Sequence, residues 1–118
     1  MAALTAQTAT AAGAEEAAAV QISAWSGPDT ISSSVIGSRG VVAVVTNGSG
    51  GSLDFRVQDP GATPAGNAAA NGYTTVTVPD GETWLVYIGP HNVDPDDGRC
   101  DVGASTTNAA FTIQLIRY

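Results

Sequence analysis

Lysine is missing from this chain, and cysteine and histidine occur once each, as Cys100 and His91. Without lysine a Walker-type phosphate loop is excluded, because its pattern requires that side chain beside the phosphates. One cysteine leaves no partner for an intramolecular disulfide and no thiolate cluster for a metal. One histidine means that any imidazole-based metal site must draw its remaining ligands from carboxylates. It also means that a Ser-His-Asp arrangement has to be built on His91. No G-x-S-x-G elbow accompanies the serines, and His91 follows Gly89-Pro90, where an exposed loop histidine is expected. Basic residues of any kind are few: four arginines stand against 11 acidic residues, for a formal net charge of -7. Such a field repels nucleic acid and anionic membrane surfaces. No run of about 18 apolar residues marks a membrane span. The opening MAALTAQTATAAGAEE lacks the basic start and leucine-rich run of a secretory signal.

What is present is small and neutral: charged residues make up only 13% of the chain. Its 118 residues suit one domain with one modest core. Composition changes near residue 25. Eleven of the first 24 residues are alanine, none is aromatic, and Glu15 and Glu16 are the only charges there. With so little apolar bulk, residues 1–24 read as an extended N-terminal arm that orders on contact with something else. Residues 25–118 read as the folded body.

In that body strands are punctuated by turns. Val41-Val42-Ala43-Val44-Val45 is continuously apolar and β-branched, the composition of a strand buried on both faces. Leu53, Phe55 and Val57 alternate with Asp54, Arg56 and Gln58, as on a half-buried strand. Val76 and Val78 alternate with threonines, and Pro79-Asp80-Gly81 turns the chain into Thr83-Trp84-Leu85-Val86-Tyr87-Ile88. Within that strand Trp84 reads as core. Cys100, Val102 and Ala104 share a face, as do Phe111, Ile113 and Leu115, so Cys100 reads as a buried, inert thiol. No apolar period of 3.6 residues follows residue 24. The spacing predicts an all-β, antiparallel β-sandwich, jelly-roll or immunoglobulin-like, of about six to eight short strands. One loop breaks the rhythm: residues 59–72 (DPGATPAGNAAANG) contain no large apolar side chain, and such loops tend to be contact surfaces or solvated excursions.

Few residues offer chemistry. Asp94, Asp96 and Asp97, with Asp101 close behind, could supply oxygens to a calcium ion. Glycine falls fifth in the run and Ser105 twelfth, where the calcium loop needs glycine sixth and glutamate twelfth. Asp97-Gly98 is equally good hairpin chemistry, and no cofactor is expected. Trp25, Trp84, Tyr73, Tyr87 and Tyr118 could stack on sugar rings, and Trp25, at the junction of arm and body, suits either packing or contact.

The order of these segments resembles a family of small tailed-phage virion proteins, the head decoration or minor structural proteins. The resemblance rests on Leu4-Thr5-Ala6-Gln7-Thr8, Asp29-Thr30-Ile31, Val44-Val45-Thr46-Asn47-Gly48-Ser49-Gly50 and Asp59-Pro60-Gly61 with Thr63-Pro64-Ala65-Gly66-Asn67. It continues through Val76-Thr77-Val78-Pro79-Asp80-Gly81-Glu82-Thr83, Ile88-Gly89-Pro90 and the Asp97-Gly98 hairpin. It spans nearly the whole chain; each motif alone is strand-and-turn grammar, and the specificity lies in the series. The alanine-rich Ala11 to Ala19 and Cys100 depart from the family's pattern. The resemblance implies a non-catalytic β-sandwich on the outer surface of a capsid. Its partners would be the major capsid protein and neighbouring copies of itself, and three-fold lattice positions would suit a trimer. Leu4 to Thr8 and Trp25 would make the contacts. Two other readings fit the same residues: a glycan-binding adhesion module on the virion, and a head–tail connector or tail component.

Overall fold

The computed structural model describes residues 3–8, 19–60 and 72–117. Among these residues the β-branched runs pair into two sheets. Sheet I takes β3 (Asp29–Ser32), β8 (Arg99–Ala104), β5 (Leu53–Gln58) and β6 (Tyr73–Val78) in that spatial order. Sheet II runs from β9 (Phe111–Arg117) through β4 (Val41–Asn47) to β7 (Thr83–Ile88). Two short strands, β1 (Ala6–Thr8) and β2 (Val20–Gln21), share the other side of β9.

The pairings nest: β2 with β9, β3 with β8, β4 with β7 and β5 with β6, all antiparallel. That is one long hairpin folded over on itself, the jelly-roll arrangement of the two that the sequence leaves open. Its tip is the connection between β5 and β6, whose base is closed by the Asp59 N–H donating to the Gly72 carbonyl at 2.9 Å. Residues 61–71 of that loop lie outside the described residues.

The core lies between the sheets, where alternate residues of each strand meet. Phe55, Val57, Val78, Cys100, Val102 and Ala104 come from sheet I, and Val41, Ala43, Val45, Phe111, Ile113 and Leu115 from sheet II. Each large side chain fully removed from water contributes roughly 1.5–3 kcal/mol. Strand β4 departs from the sequence reading. Its inward residues are buried while the outward Val42 and Val44 are only half-buried, because nothing described in this chain covers the outer face of sheet II.

Buried polar side chains tie the turns down. The Asn47 amide donates to the carbonyls of Gly51 (2.8 Å) and Val78 (2.9 Å), and its oxygen accepts the Ser49 N–H at 3.0 Å. The buried Asp29 carboxylate accepts both the N–H and the hydroxyl of Ser23. A one-turn helix, α1 (Ser33–Ile36), carries the chain from sheet I to sheet II, too short to show the 3.6-residue apolar period whose lack reads as an all-β body. It stops at Gly37, whose φ of 64° suits glycine.

The N-terminal region is extended, as its composition implies, but the described parts of it are seated on the body. The Leu4 N–H donates to the Thr30 carbonyl at 2.7 Å, and β1 lies parallel to β9. Ile22, fully buried, donates its N–H to the Phe111 carbonyl. The Trp25 N–H donates to the Ala104 carbonyl and the Ala104 N–H to the Ser23 carbonyl, so residues 20–25 run from the edge of sheet II to that of sheet I. Alanine counting obscures the physical reason: Leu4 and Ile22 anchor the segment in the core. These stretches close one side of the sandwich. The opposite side, between β6 and β7, has no such cover among the described residues.

Candidate interaction surface

The aspartate-rich loop holds itself together. Asp94 accepts the Asp96 N–H at 2.9 Å, and Asp97 accepts the Arg99 N–H at 2.9 Å and pairs loosely with its guanidinium. The Asp94 N–H and carbonyl bond to Arg99 and Gly98, closing the turn that the Asp97-Gly98 pair predicts. Among the described residues no group of three or more His, Cys, Asp or Glu side chains is disposed to hold a metal. Asp101 stands on β8 rather than on the loop. Burial, followed by the nearby Asp97, pushes its carboxyl above the ordinary range. Cys100 is fully buried, and burial pushes its thiol up to about 12. His91 is exposed on a 3-10 turn (Pro90–Asn92), its ring near that of Tyr87 at 6.4 Å between centroids.

On the outer face of sheet I the structure brings Trp25 and Tyr73 together. Their rings meet edge to face at 5.1 Å, and the Arg56 guanidinium lies 4.6 Å from the centre of the Tyr73 ring. Trp25 can lie there because β8 carries Gly103; a Cβ at that position would come within 2.8 Å of the Trp25 backbone. Tyr73 thus spends one face on Arg56 and an edge on Trp25. This leaves less of either ring for stacking on a sugar than the sequence implies. Most of the contact candidates near the N-terminus are also engaged within the chain: Leu4 is 7% exposed and Ala6 to Thr8 pair with Leu115 to Arg117, while Thr5 is exposed.

The outer face of sheet II is different in kind. Its rows across β7, β4 and β9 read Tyr87–Val42–Ile116, Leu85–Val44–Gln114 and Thr83–Thr46–Thr112. None of these side chains is charged, on a protein of net charge -7. Leu85 is 72% exposed and Tyr87 49%. Tyr87 is held in place by donating its hydroxyl proton to the Arg39 carbonyl at 3.0 Å, its ring against Gly40, where a Cβ would fall 2.6 Å away. Trp84 faces inward at the rim rather than filling the core; it is 38% exposed, and its indole N–H donates to Glu82. The face is apolar from Tyr87, Val42 and Ile116 to Leu85 and Val44 and passes into threonines beyond, an exposed apolar patch of the kind found at contact surfaces.

Sequence reasoning missed this surface, although a signal exists. A strand that is continuously apolar implies burial on both faces, and a two-layer sandwich supplies only one of them. The runs at 41–45 and 84–88 therefore call for a cover from outside. Compared with family models, curated proteins and solved structures, the chain matches none.

Proposed function

We propose that this chain is a non-enzymatic structural protein of a tailed-phage particle, a decoration module seated on the outer surface of the capsid shell and stabilising it. The observation that carries the reading is the uncharged outer face of sheet II, with its apolar patch around Tyr87 and Leu85, on an otherwise acidic body. A module that spends its working life docked on a lattice needs such a face. The resemblance of the ordered series of turn motifs to small virion proteins points the same way. The jelly roll is permissive: it serves capsid components, lectins and other proteins alike. The major capsid protein is the partner this reading requires, with neighbouring copies on the lattice adding effective concentration to weak contacts.

Counting copies in purified particles by quantitative mass spectrometry tests the proposal. Shell symmetry calls for on the order of hundreds of copies, whereas a connector or tail position would give about a dozen or fewer. Absence from the particle would end the proposal. The adhesion reading predicts sugar binding by the isolated protein that is lost in Trp25→Ala.

A further inference from the structure

Strand β7 ends the spatial order of sheet II, so alternate backbone N–H and C=O groups along one side of it point away from β4. Exposed edges are normally blunted by lysine, proline, a bulge or an inward charge, or are covered by a loop. The other edge of sheet II is covered by β1 and β2, and the β3 edge of sheet I by the bridge from Ala3 to Thr30. Over its six residues β7 has none of these devices: Thr83-Trp84-Leu85-Val86-Tyr87-Ile88 contains no charge, no proline and no glycine. Beside it the β6 edge is also uncharged, but its outward side chains are Tyr73 and threonines, which water solvates well. Among the described residues, β7 is the edge at which a flat, apolar, unprotected strand meets solvent.

We propose that β7 is a self-association edge: two copies of this chain pair their β7 strands antiparallel about a two-fold axis, joining their sheets II into one. The carboxylates at one end of the strand, and the lack of any at the other, favour a second copy in this orientation. Asp80 and Glu82 stand where the chain enters β7. At its far end lie His91, beside the Tyr87 ring, and Arg39, whose carbonyl accepts the Tyr87 hydroxyl. An antiparallel pair sets the acidic end of one copy against the end of the other where residues 83–93 carry no carboxylate. It also keeps the two Glu82 side chains roughly 26 Å apart along the strands, beyond the ~8 Å screening length at physiological salt. A parallel pair would set Glu82 beside Glu82.

Facing is fixed as well, since opposite residues of an antiparallel pair point to the same side. With Val86 on the axis, Leu85 lies opposite Tyr87 of the other copy, and Trp84 opposite Ile88. An aliphatic–aromatic pair then forms twice on the outer face, and the half-exposed Trp84 is covered at the rim. Because the far edge of each sheet II is already occupied by β1 and β2, the pairing closes at two. This inference stands whether or not the particle reading holds.

The test is the mass of the purified full-length protein by sedimentation equilibrium, for the wild type and two variants. Leu85→Lys sets like charges near each other across the axis, on a side chain already in solvent. Thr112→Lys adds the same charge to the same outer face, two strands away from the edge. The expected result is a wild-type dimer, a dissociation constant raised at least about tenfold in Leu85→Lys, and no change beyond about twofold in Thr112→Lys. Circular dichroism verifies that both variants are folded. A wild type that stays monomeric at ~100 μM overturns the proposal, as does an assembly larger than two. A dimer indifferent to Leu85→Lys, or equally weakened by Thr112→Lys, overturns it too.

Discussion

If Leu4 belongs to the core, truncating it must cost stability even though it lies four residues from the start of the chain. Leu4 is 7% exposed, packs with the sandwich core and leads the segment whose N–H bonds to Thr30. Leu→Ala changes at buried sites cost about 2–5 kcal/mol, the spread reflecting how far the site collapses. A cavity lined by Ala3, Leu4, Thr5, Val20, Ile113, Gln114 and Leu115 already sits there. Packing around Leu4 is therefore looser than in the centre, which places Leu4→Ala at the lower end, about 2–3 kcal/mol. In a chain of this size each kcal/mol moves the melting temperature by roughly 4 °C, so a fall of about 8–12 °C is expected. Differential scanning calorimetry reads the shift, and urea unfolding checks that the denaturant slope is unchanged. A melting temperature within about 1 °C of wild type would refute the reasoning. It would mean that the segment leaves the body by local opening before the body melts, and residues 3–8 would then be free to serve as an attachment arm.

Replacing Asn47 with Ala removes both amide donors from the Gly51 and Val78 carbonyls and the acceptor of Ser49 N–H. At about 1 kcal/mol per net hydrogen bond, a loss of about 2–3 kcal/mol is expected in urea titration. Asp101 is protonated more readily in the folded than in the unfolded chain, because burial and then Asp97 raise its pKa. The sign follows: its unfavourable contribution is absent in acid and develops as pH rises through the folded-state value. Asp101→Asn should therefore stabilise the protein at neutral pH, with the gain disappearing on acidification below the carboxylate range; a gain independent of pH would contradict this. Cys100, with its thiol raised to about 12 and no exposed surface, should resist a thiol reagent at neutral pH in the native protein and react fully in denaturant.

The strand grammar was readable because it depends on local periodicity. Leu53, Phe55 and Val57 turn inward while Asp54, Arg56 and Gln58 turn outward, and Phe111, Ile113 and Leu115 do likewise in the last strand. Turn chemistry was equally legible, since Asn47-Gly48 and Asp97-Gly98 both mark places where the chain reverses. What local pattern does not carry is the partner of each strand. Val45 sits opposite both Trp84 and Ile113, pairings separated by 39 and 68 residues respectively, and no short-range rule selects them. The same limit explains the N-terminal region. Composition counts eleven alanines there, whereas the fold responds to the two aliphatic residues placed to reach the core, Leu4 and Ile22. Trp84 shows the converse: its strand has the composition of an interior one, yet it lies at the edge of the sheet.

These differences between pattern and packing share a cause that bears on function. A sequence pattern reports how much burial a segment requires, not which molecule supplies it. Residues 3–8 and 20–25 seemed to need an outside partner and find one in their own sandwich. The runs at 41–45 and 84–88 seemed satisfied by their own core, yet they leave Val42, Val44, Leu85 and Tyr87 partly or largely in water. Transferring about 25 cal/mol for each Å² of such apolar surface out of water is a standing driving force for association. The β7 edge adds backbone hydrogen bonds that give the association direction. On the proposed reading, contacts with other proteins form at this face, which offers both and repels a partner with no charge. The N-terminal segment's part is then to lock the opposite side, so that one edge of sheet II is left open for pairing.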